Sequence, residues 1–426
     1  MTETRSAAIA PSRARRAMVF ALVVVFLDVA GFGLIIPVMP PLIEEIGGVG
    51  LDAAARVGGW LFAVFSLAQF VCAPLVGTLS DRYGRRPLLL LAVAGLAVDY
   101  VVHALAPSLV WLFAGRFFAG VCGSSFVIAN ACLADVTAPE RRARAFGLMS
   151  AAFGLGFVLG PAIGGLLGAF GTRVPFWCAA GLAGANFLFG LVALQETLAP
   201  AARRGFRWRE ANPLGALAVF RRFPGVLPNA AVLAAYFFAT AIYPAIWPFW
   251  GIAAFGWSGE TVGLTLAISG LATALVQGLA AGPAVARLGE RRLAVVGLAV
   301  GAASLVAIGT APTTAIVLAV LIVQAGEGFV HPMLSALMSK AVPEDAQGAL
   351  QGGVSAGMNL AMLVGTIFFA QVFGWFVSPA APVRSPNVAF FVAAAAMGLA
   401  LLAFLRTGGG RRAGGGTTEG RRADLP

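Results

Sequence analysis

Long apolar runs, separated by short polar segments rich in arginine, dominate the pattern of hydrophobic and polar residues along the chain. A helix needs about 20 residues to cross the hydrocarbon core of a bilayer, and twelve of the runs are of spanning length. The predicted spans are residues 17–38, 57–79, 87–106, 109–134, 145–169, 174–194, 226–254, 260–284, 292–311, 314–340, 346–374 and 387–406. This pattern predicts an all-α polytopic membrane protein with twelve transmembrane helices.

The longest polar connection, residues 195–225, separates six apolar runs from the other six. The predicted organisation is an N-terminal segment (1–16), a six-helix bundle (17–194), this central loop, a second six-helix bundle (226–406) and a tail (407–426). The Gly- and Arg-rich composition of the tail is typical of disordered chain.

The two halves contain similar short sequences at corresponding places. GTLSDRYGRRP follows the second run, GPAVARLGERR follows the eighth about 205 residues later, and APERR after the fourth run corresponds to VPEDA after the tenth. The shared positions are Gly77 and Gly282, Arg82 and Arg287, Gly84 and Gly289, and Arg86 and Arg291. Duplicated six-helix units are typical of secondary transporters, whose substrate site lies between the halves near the middle of the membrane.

Composition supports the membrane class. Apolar residues make up 59% of the 426 residues and charged residues 11%, whereas soluble domains carry about 25% charged residues. The net charge of +11 could indicate nucleic-acid binding, but 25 of the 29 Lys and Arg residues fall on one predicted side of the membrane. Such an asymmetry marks cytoplasmic loops. We therefore expect both termini in the cytoplasm and no nucleic-acid partner.

No motif for catalysis, metal binding or ATP hydrolysis stands out. Cys72, Cys122, Cys132 and Cys178 fall within apolar runs and lack the spacing of zinc or redox motifs, which predicts no metal site and no disulfide. The sequence contains no nucleotide-binding loop of the G-x-x-x-x-G-K-[ST] kind. We expect no enzymatic activity and no cofactor. The first run is long and no A-x-A site follows it, so we expect no cleaved signal peptide.

Several segments resemble those of a known family. GTLSDRYGRRP resembles the signature between the second and third helices of the major facilitator superfamily, and GRFFAGVCGSS (115–125) fits its fourth-helix motif. LDVAGFGLIIPVMPPL and GFVLGPAIGGLLG (156–168) look like motifs of its twelve-helix drug:proton antiporters. A further likeness, to bacterial tetracycline-efflux proteins, runs through LAQFVCAPLVGTLSDRYGRRPLLLL and QGALQGGVSAGMNL. The resemblance implies the major facilitator fold, with two pseudo-symmetric six-helix bundles, and a monomer in a bacterial inner membrane.

The resemblance also implies a conformational switch in the loop after the second run. Its residues are Gly77, Asp81, Arg82, Gly84, Arg85, Arg86 and, at the end of the fourth run, Asp135. In this family the carboxylate at Asp81 pairs with the arginine at Arg85 and with the acid at Asp135, and it caps a helix of the other half. A charge cluster made in only one conformation biases alternating access. The alternative is an ordinary tight turn whose arginines only keep this loop on the cytoplasmic side of the membrane.

Glycines recur every four residues in the fifth run and therefore share one helix face, where another helix can pack closely. They are Gly156, Gly160, Gly164 and Gly168, and Gly165 follows the third of them. Pro161 removes a backbone hydrogen bond and can bend the helix. In the resembled family this helix packs across the moving interface; ordinary membrane packing is the alternative.

Ionisable residues inside the predicted spans are the candidate sites for protons and substrate. A charge at the centre of a bilayer helix costs roughly 2.5–3.5 kcal/mol on insertion scales, and such residues default to functional sites. The candidates are Asp28, Asp99, Arg116, Glu327 and His331. A carboxyl group removed from water favours its protonated form and can exchange protons near neutral pH. Asp28 and Asp99 also have structural alternatives, the latter as a partner of Arg116, and His103 is expected as an interfacial residue near the outer surface.

Neutral polar and aromatic residues extend the candidate cavity. Gln69, Asn130 and Gln277 fall inside spans and are candidate substrate contacts. Tyr100, Phe126, Tyr243, Trp247 and Trp250 could line an apolar cavity or face lipid.

The chain departs from the tetracycline exporters that it resembles. Those carry a histidine in the eighth helix and an aspartate in the ninth, where this chain has Thr273 and about Gly301. Glu327 and His331 stand in the tenth run, where the family usually has small and apolar residues. We hypothesise that the C-terminal protonation site has moved to Glu327, helped by His331.

The sequence therefore predicts a proton-coupled exporter of a small hydrophobic or amphiphilic drug, tetracycline-like or multidrug, working by alternating access. Its expected partners are the small-molecule substrate, protons and the lipid bilayer. A metabolite uptake symporter of the same superfamily is the alternative, although Arg116 is the only deep base. A membrane receptor on this scaffold is disfavoured, because the chain has no sizeable soluble domain.

Overall fold

The computed structural model describes residues 11–123, 125–138, 141–203, 205, 212–343 and 346–407. Within these ranges the regular elements are all helical, as predicted. The predicted disordered tail and part of the central loop, residues 206–211, lie outside the described residues.

Twelve membrane crossings, α1 to α12, follow one another along the described chain. Their bounds are α1 (Pro11–Ile35, Ile36–Val38 and Met39–Gly47), α2 (Leu51–Tyr83), α3 (Arg85–Leu105), α4 (Leu109–Cys122 and Ser125–Val136), α5 (Arg142–Gly168), α6 (Val174–Ala193), α7 (Leu227–Thr240 and Ile242–Phe255), α8 (259–288), α9 (290–310), α10 (Thr314–Gln324, Ala325–Phe329 and Val330–Ser339), α11 (Gln347–Val377) and α12 (Val388–Arg406). A short helix, Ala218–Arg222, lies in the central loop between α6 and α7.

The crossings α8 and α9 form one helical stretch, Gly259–Thr310, so eleven separate helices are long and apolar enough to span a membrane. A stretch of 52 residues is about 78 Å long, more than twice the thickness of the hydrocarbon core. Gly289 has non-helical backbone angles (φ 72°, ψ 161°) in its middle, and the helix bends there. We therefore count two crossings, which agrees with the predicted twelve.

Because each crossing reverses the chain direction, the loops after α2, α4, α6, α8 and α10 share the side of the N terminus. These loops carry the arginine clusters, and we call this the basic side. On the opposite side the two bundles touch: a Cβ atom on Gly58 of α2 would lie 2.8 Å from the Phe249 ring of α7, and Gly165 of α5 lies against the Gly259 backbone of α8. Towards the basic side, Gly147 and Gly278 have nothing within 4 Å of their Cβ positions. The close contacts of Gly58 and Gly165 between the bundles therefore lie at the opposite side.

The internal repeat is visible in the geometry at a spacing of 205 residues. Gly84 begins α3 with φ 106°, and Gly289 begins α9 with φ 72°. The arginine two residues after each of these glycines forms an equivalent contact on the basic side of its bundle. Arg86 Nη2 donates to the Leu191 carbonyl at 2.9 Å, and Arg291 Nη2 donates to the Phe404 carbonyl at 2.9 Å.

The ion pair between these helix ends is also repeated, with its charges exchanged. Arg85 Nε lies 3.2 Å from Asp135 Oδ2 in the N-terminal bundle. At the positions 205 residues later, Lys340 Nζ lies 2.7 Å from Glu290 Oε2. An ion pair works in either orientation, so the duplicated scaffold keeps the interaction while the residue types diverge.

The glycine stripe of α5 packs mainly on α1 of its own bundle. Cβ atoms on Gly156 and Gly164 would lie 2.7 Å from the Phe26 carbonyl oxygen and 2.6 Å from Leu34 Cα. Gly160 likewise lies against the α1 backbone. The contact across to the other bundle is made instead by Pro161 and Gly165, which lie against the start of α8.

We expect Gly164→Ala to destabilise the protein, because the added methyl group would meet the α1 backbone, which no rotamer change can relieve. Overpacking of this kind costs about 1–3 kcal/mol. Thermal unfolding in detergent, followed with a thiol-reactive fluorophore that reports exposure of the four free cysteines, measures the change. Gly154→Ala is the matched control on the same helix, because its Cβ position has nothing within 4 Å. Equal melting temperatures for the two variants would contradict the close packing of α1 and α5.

Candidate functional site

A charge cluster on the basic side joins the ends of α2, α3 and α4. The Arg85 guanidinium lies 2.5 Å from Asp81 Oδ1 and 3.2 Å from Asp135 Oδ2, and it donates to Ser80 Oγ at 2.6 Å. The arginine is buried while Asp81 is more than one third exposed. The two carboxylates thus balance the buried arginine, in the pairing that the family resemblance implied.

Glu196, which sequence reasoning missed, completes this cluster from the end of α6. Its two carboxylate oxygens accept the backbone N–H groups of Arg85 and Arg86 at 2.9 and 3.3 Å. The first N–H groups of a helix have no partner within the helix, and the helix dipole favours an anion there. A Cβ atom on Gly84 would lie 2.8 Å from the Glu196 carboxyl carbon, so a glycine is needed there for the cap to fit.

The rest of the signature stays within the N-terminal bundle. The Arg82 guanidinium lies 5.1 Å from the centre of the Tyr83 ring, and a Cβ atom on Gly77 would lie 3.6 Å from Val127. The expected cap of Asp81 on a helix of the other half stays a prediction. Among the described residues, Asp81 is paired with Arg85.

A second charge cluster, deep in the N-terminal bundle, consists of Asp99 and His103 of α3 and Arg116 of α4. Arg116 Nη2 lies 3.5 Å from Asp99 Oδ2, and Arg116 Nε donates to His103 Nε2 at 3.0 Å. His103 Nδ1 lies 2.9 Å from the Asp99 carbonyl oxygen and 3.1 Å from Asp99 Oδ1. The side chains of Asp99 and His103 are fully buried. The cluster is therefore a buried ion pair of Asp99 and Arg116, with His103 in contact with both residues.

The hydrogen bonds assign the tautomer of His103. A guanidinium can only donate, so the Nε2 atom that it contacts must be the unprotonated nitrogen, and the proton lies on Nδ1. The ring stacks on Phe176 with centroids 5.6 Å apart. His103 is 0% exposed and belongs to the ion-pair cluster, so it is covered by protein. It lies in the last turn of α3, and its expected position near the outer surface stays a prediction.

Asp28 of α1 has a different environment from Asp99. It accepts a hydrogen bond of 2.5 Å from the hydroxyl of Ser125, a buried residue of α4. Within the described part of the chain, no cation pairs with it. A single neutral donor does not balance a buried negative charge.

A cavity of about 420 Å³ lies in the C-terminal bundle, and Glu327 is in its wall. Glu327 stands in the 3-10 segment Ala325–Phe329 that interrupts α10. Gln324 Nε2 donates to Glu327 Oε1 at 3.2 Å. The buried atoms Glu327 Oε2, Gln324 Oε1 and Tyr243 Oη have no hydrogen-bond partner among the described residues. The Tyr243 hydroxyl nevertheless lies close enough to interact with both Glu327 and Gln324, and a small rotation would let it donate to either oxygen.

The cavity gathers several of the predicted residues. Gln277 lines it from a π-helical turn of α8, Val276–Ala280, and such turns often occur at functional sites. Thr273 and His331 also line it, and His331 contacts Phe237 with ring centroids 5.4 Å apart. Two of the predicted aromatic residues, Tyr243 and Trp247, are in its wall.

Gly301 of α9 lies directly beside the carboxylate of Glu327. A Cβ atom on Gly301 would lie 3.0 Å from Glu327 Oε2. The Glu327 carboxylate therefore occupies the space that a side chain at position 301 would otherwise enter. The resemblance places the aspartate of the tetracycline exporters at about this position.

The remaining predicted contacts lie outside this cavity. Gln69 Nε2 donates to the Gly123 carbonyl at 3.2 Å, and Asn130 Nδ2 donates to the Phe126 carbonyl at 2.8 Å. Tyr100 is buried beside Gly31 in the N-terminal bundle. Trp250 is buried in an aromatic cluster, where its indole donates to Asn387 Oδ1.

We expect Arg116→Met to destabilise the protein by about 3–5 kcal/mol, because it leaves the buried Asp99 carboxylate without its cation. The double variant Asp99→Asn/Arg116→Met removes both charges and should recover most of the loss. Thermal unfolding in detergent measures both. If the double variant melted no higher than the single one, Asp99 and Arg116 would not be an interacting pair.

Comparisons with known proteins agree with this architecture. The family model described as Major Facilitator Superfamily matches residues 21–246 and 229–424. A curated tetracycline resistance protein, class C, from Escherichia coli is 38% identical over 404 residues, which cover 94% of this chain and 99% of that protein. The class G protein from Vibrio anguillarum is 38% identical over 363 residues, 84% of this chain and 91% of that protein.

A solved structure shares the fold. The bacterial homologue of the human lysosomal transporter Spinster, crystallised in an inward-facing and occupied conformation, superposes with a TM-score of 0.75 at 16% identity, over 94% of this chain and 97% of that chain. The family assignment rests on the match to the family model and on the share of this chain that aligns with the two relatives. The chain is a multi-pass membrane protein that belongs to the major facilitator superfamily.

Proposed function

We propose that this chain is a proton-coupled exporter of a small hydrophobic or amphiphilic drug, with its basic side in the cytoplasm of a bacterial cell. The observation that carries the proposal is the Glu327 carboxyl group, which lies in the wall of the cavity with no lysine or arginine among the described lining residues. The relatives named as tetracycline resistance proteins support the drug class.

The three buried acids differ in how well they suit proton exchange. Asp99 is balanced by Arg116, so protonating it would leave the buried guanidinium unpaired. Glu327 has the amide of Gln324 and the nearby hydroxyl of Tyr243 as neutral donors, and Asp28 has the hydroxyl of Ser125. We therefore assign proton exchange to Glu327 and Asp28, and a positioning role to Asp99.

The neighbouring Gly301 supports the relocation of the C-terminal acid from α9 to α10. A carboxylate carried on α10 reaches the space beside position 301, so the same part of the cavity can hold an acid from either helix. Small residues accompany the move, since Gly326 and Gly328 flank Glu327 and Gly301 makes room for it.

The export cycle follows from the gap between the bundles. The bundles are in contact on the opposite side, and in this proposal they open on the basic side, so that drug enters from the cytoplasm. Closure of the basic side would bring the cluster of Arg85, Asp81 and Asp135 towards the other bundle. Protons entering from outside then release the drug, and a pH difference of one unit supplies about 1.4 kcal/mol per proton, a tenfold accumulation.

We expect Glu327→Gln to abolish drug-dependent proton release from inside-out vesicles, because an amide has no proton to exchange. Accumulation driven by a pH difference should fall by about tenfold per unit for each coupled proton lost, while exchange of labelled for unlabelled drug without a gradient should persist. Glu260→Gln, which removes an exposed carboxylate at the start of α8 in the same bundle, is the control and should behave as wild type. Full proton coupling in Glu327→Gln would refute the assignment.

We expect an aspartate at position 301 to support proton coupling when Glu327 is replaced by glycine. Gly301→Asp alone should lose activity, because its Cβ would lie 3.0 Å from Glu327 Oε2 and two carboxylates would share one site. The double variant Gly301→Asp/Glu327→Gly should regain proton-coupled export in the vesicle assay. Gly301→Asn/Glu327→Gly is the matched variant without an acid, and it should remain uncoupled. Equal coupling in the two double variants would show that the carboxylate is not needed here.

A further inference from the structure

We infer that a groove between α7 and α11 binds an anionic phospholipid, with one acyl chain in the groove and the headgroup phosphate against Arg221 and Arg222 of the central loop. The groove is separate from the cavity beside Glu327. α7 is the wall between them, since Tyr236 lines the cavity and Phe238 lines the groove. Lipid binding in the groove does not require the chain to be an exporter.

The described walls of the groove are apolar throughout, and its volume is about 570 Å³. α7 contributes leucine, alanine and phenylalanine residues, and α11 contributes valine, glycine, methionine, leucine and alanine residues. None of the described lining residues carries a hydroxyl, an amide or a charge. A polar ligand would therefore find no side-chain partner there, whereas a hydrocarbon chain loses nothing by entering.

The length of the groove suits an acyl chain from one leaflet. On α7 it runs from Leu227, the first residue of the helix on the basic side, to Phe238. At 1.5 Å per residue this interval spans about 16 Å. Half of a hydrocarbon core about 30 Å thick is about 15 Å. A chain that enters from the leaflet on the basic side would therefore end near the middle of the membrane.

The central loop helix, Ala218–Arg222, closes the basic end of the groove. Phe220 of this helix and Leu217, which precedes it, line the groove. A Cβ atom on Gly353 of α11 would lie 2.9 Å from the Ala216 carbonyl oxygen, so the glycine lets the loop lie directly on α11. This packing holds the loop helix beside the start of α7, at the level of the headgroups.

Two arginines stand at this end of the groove. Arg221 follows Leu217 by four residues, so the two share one face of the helix. The Arg222 guanidinium lies 5.3 Å from the centre of the Phe223 ring. Both arginines are exposed, and neither is paired with a carboxylate within the described part of the chain.

The charge of these arginines selects the headgroup. Guanidinium groups bind phosphate through paired N–H donors, and arginines next to a membrane attract anionic lipids. A zwitterionic lipid carries its own cation beside the phosphate, so it gains less from the two arginines. The combination of an apolar groove and a cationic end therefore matches a lipid with net negative charge.

The test uses a phosphatidylglycerol with a diazirine group midway along one acyl chain, and the purified full chain in phosphatidylcholine nanodiscs. After irradiation, mass spectrometry of peptides should place more label on residues 227–238 and 354–364 than on the rest of the lipid-exposed surface. Unlabelled phosphatidylglycerol should compete with the label, and the same amount of added phosphatidylcholine should not.

The arginine pair is tested by Arg221→Gln/Arg222→Gln, which should weaken labelling of the groove by about tenfold. Arg221→Lys/Arg222→Lys keeps both charges and should retain most of the labelling. The matched control is Arg287→Gln/Arg292→Gln, which removes two exposed arginines from the same side of the same bundle. It should be labelled as wild type.

The groove itself is tested by Ala234→Trp, because the indole would occupy the space of the acyl chain and should reduce labelling of both helices. Ala395→Trp places the same side chain on the exposed face of α12 and should be labelled as wild type. Thermal unfolding in detergent shows whether each variant is folded. If Ala234→Trp does not fold, the arginine variants and the lipid competition decide alone.

Three results would overturn the inference. One is undiminished labelling of the groove in Arg221→Gln/Arg222→Gln or in folded Ala234→Trp. Another is equal competition by phosphatidylcholine, which would make the groove an unselective part of the lipid-facing surface. The third is displacement of the label by a transported drug and not by phosphatidylglycerol, which would make it a drug site.

Discussion

Hydrocarbon offers no water to a polar group, so every acid inside this membrane protein must find a cation, a hydrogen-bond donor or a proton. The three deep acids meet this constraint in different ways. Asp99 has a guanidinium and a histidine, Asp28 has a hydroxyl, and Glu327 has an amide; one oxygen each of Asp99 and Glu327 makes no hydrogen bond among the described residues. The proposed roles follow from the presence of a cation: an acid paired with one is a structural element, and an acid without one can respond to protons or ligand.

The pattern of apolar runs predicted the crossings because the hydrocarbon core dictates their length. The pattern made the spans too short at both ends where helices continue beyond that core. The second span was predicted as 57–79, and the helix runs from Leu51 to Tyr83. The eighth and ninth spans were predicted as separate helices, yet the polar residues between them remain helical except at Gly289. Hydropathy reports the part of a helix in lipid, whereas backbone hydrogen bonds continue into the interface.

Contacts between distant segments could not be read from the sequence. Glu196 caps the start of α3 from 111 residues away, and its approach depends on the positive φ of Gly84. The 3-10 segment at Glu327 had a signal that sequence reasoning did not use, because glycines on both sides of an acid weaken a helix. The π-helical turn at Gln277 has no comparable signal, since it depends on how α8 packs in three dimensions.

The duplicated scaffold carries unlike chemistry in its two halves. The helix-end pair is retained with its charges exchanged, which shows that the repeat preserves the interaction and not the residue. In the interior, the N-terminal bundle closes its acid Asp99 into a network with Arg116, while the C-terminal bundle leaves Glu327 open to a cavity. A buried acid paired with a cation resists change, because losing either partner leaves the other charge uncompensated. An acid without a cation changes its interactions with every proton or ligand that reaches it. On the proposed roles each bundle holds one acid of this second kind, Asp28 and Glu327, and of the two Glu327 lies in the wall of the described cavity.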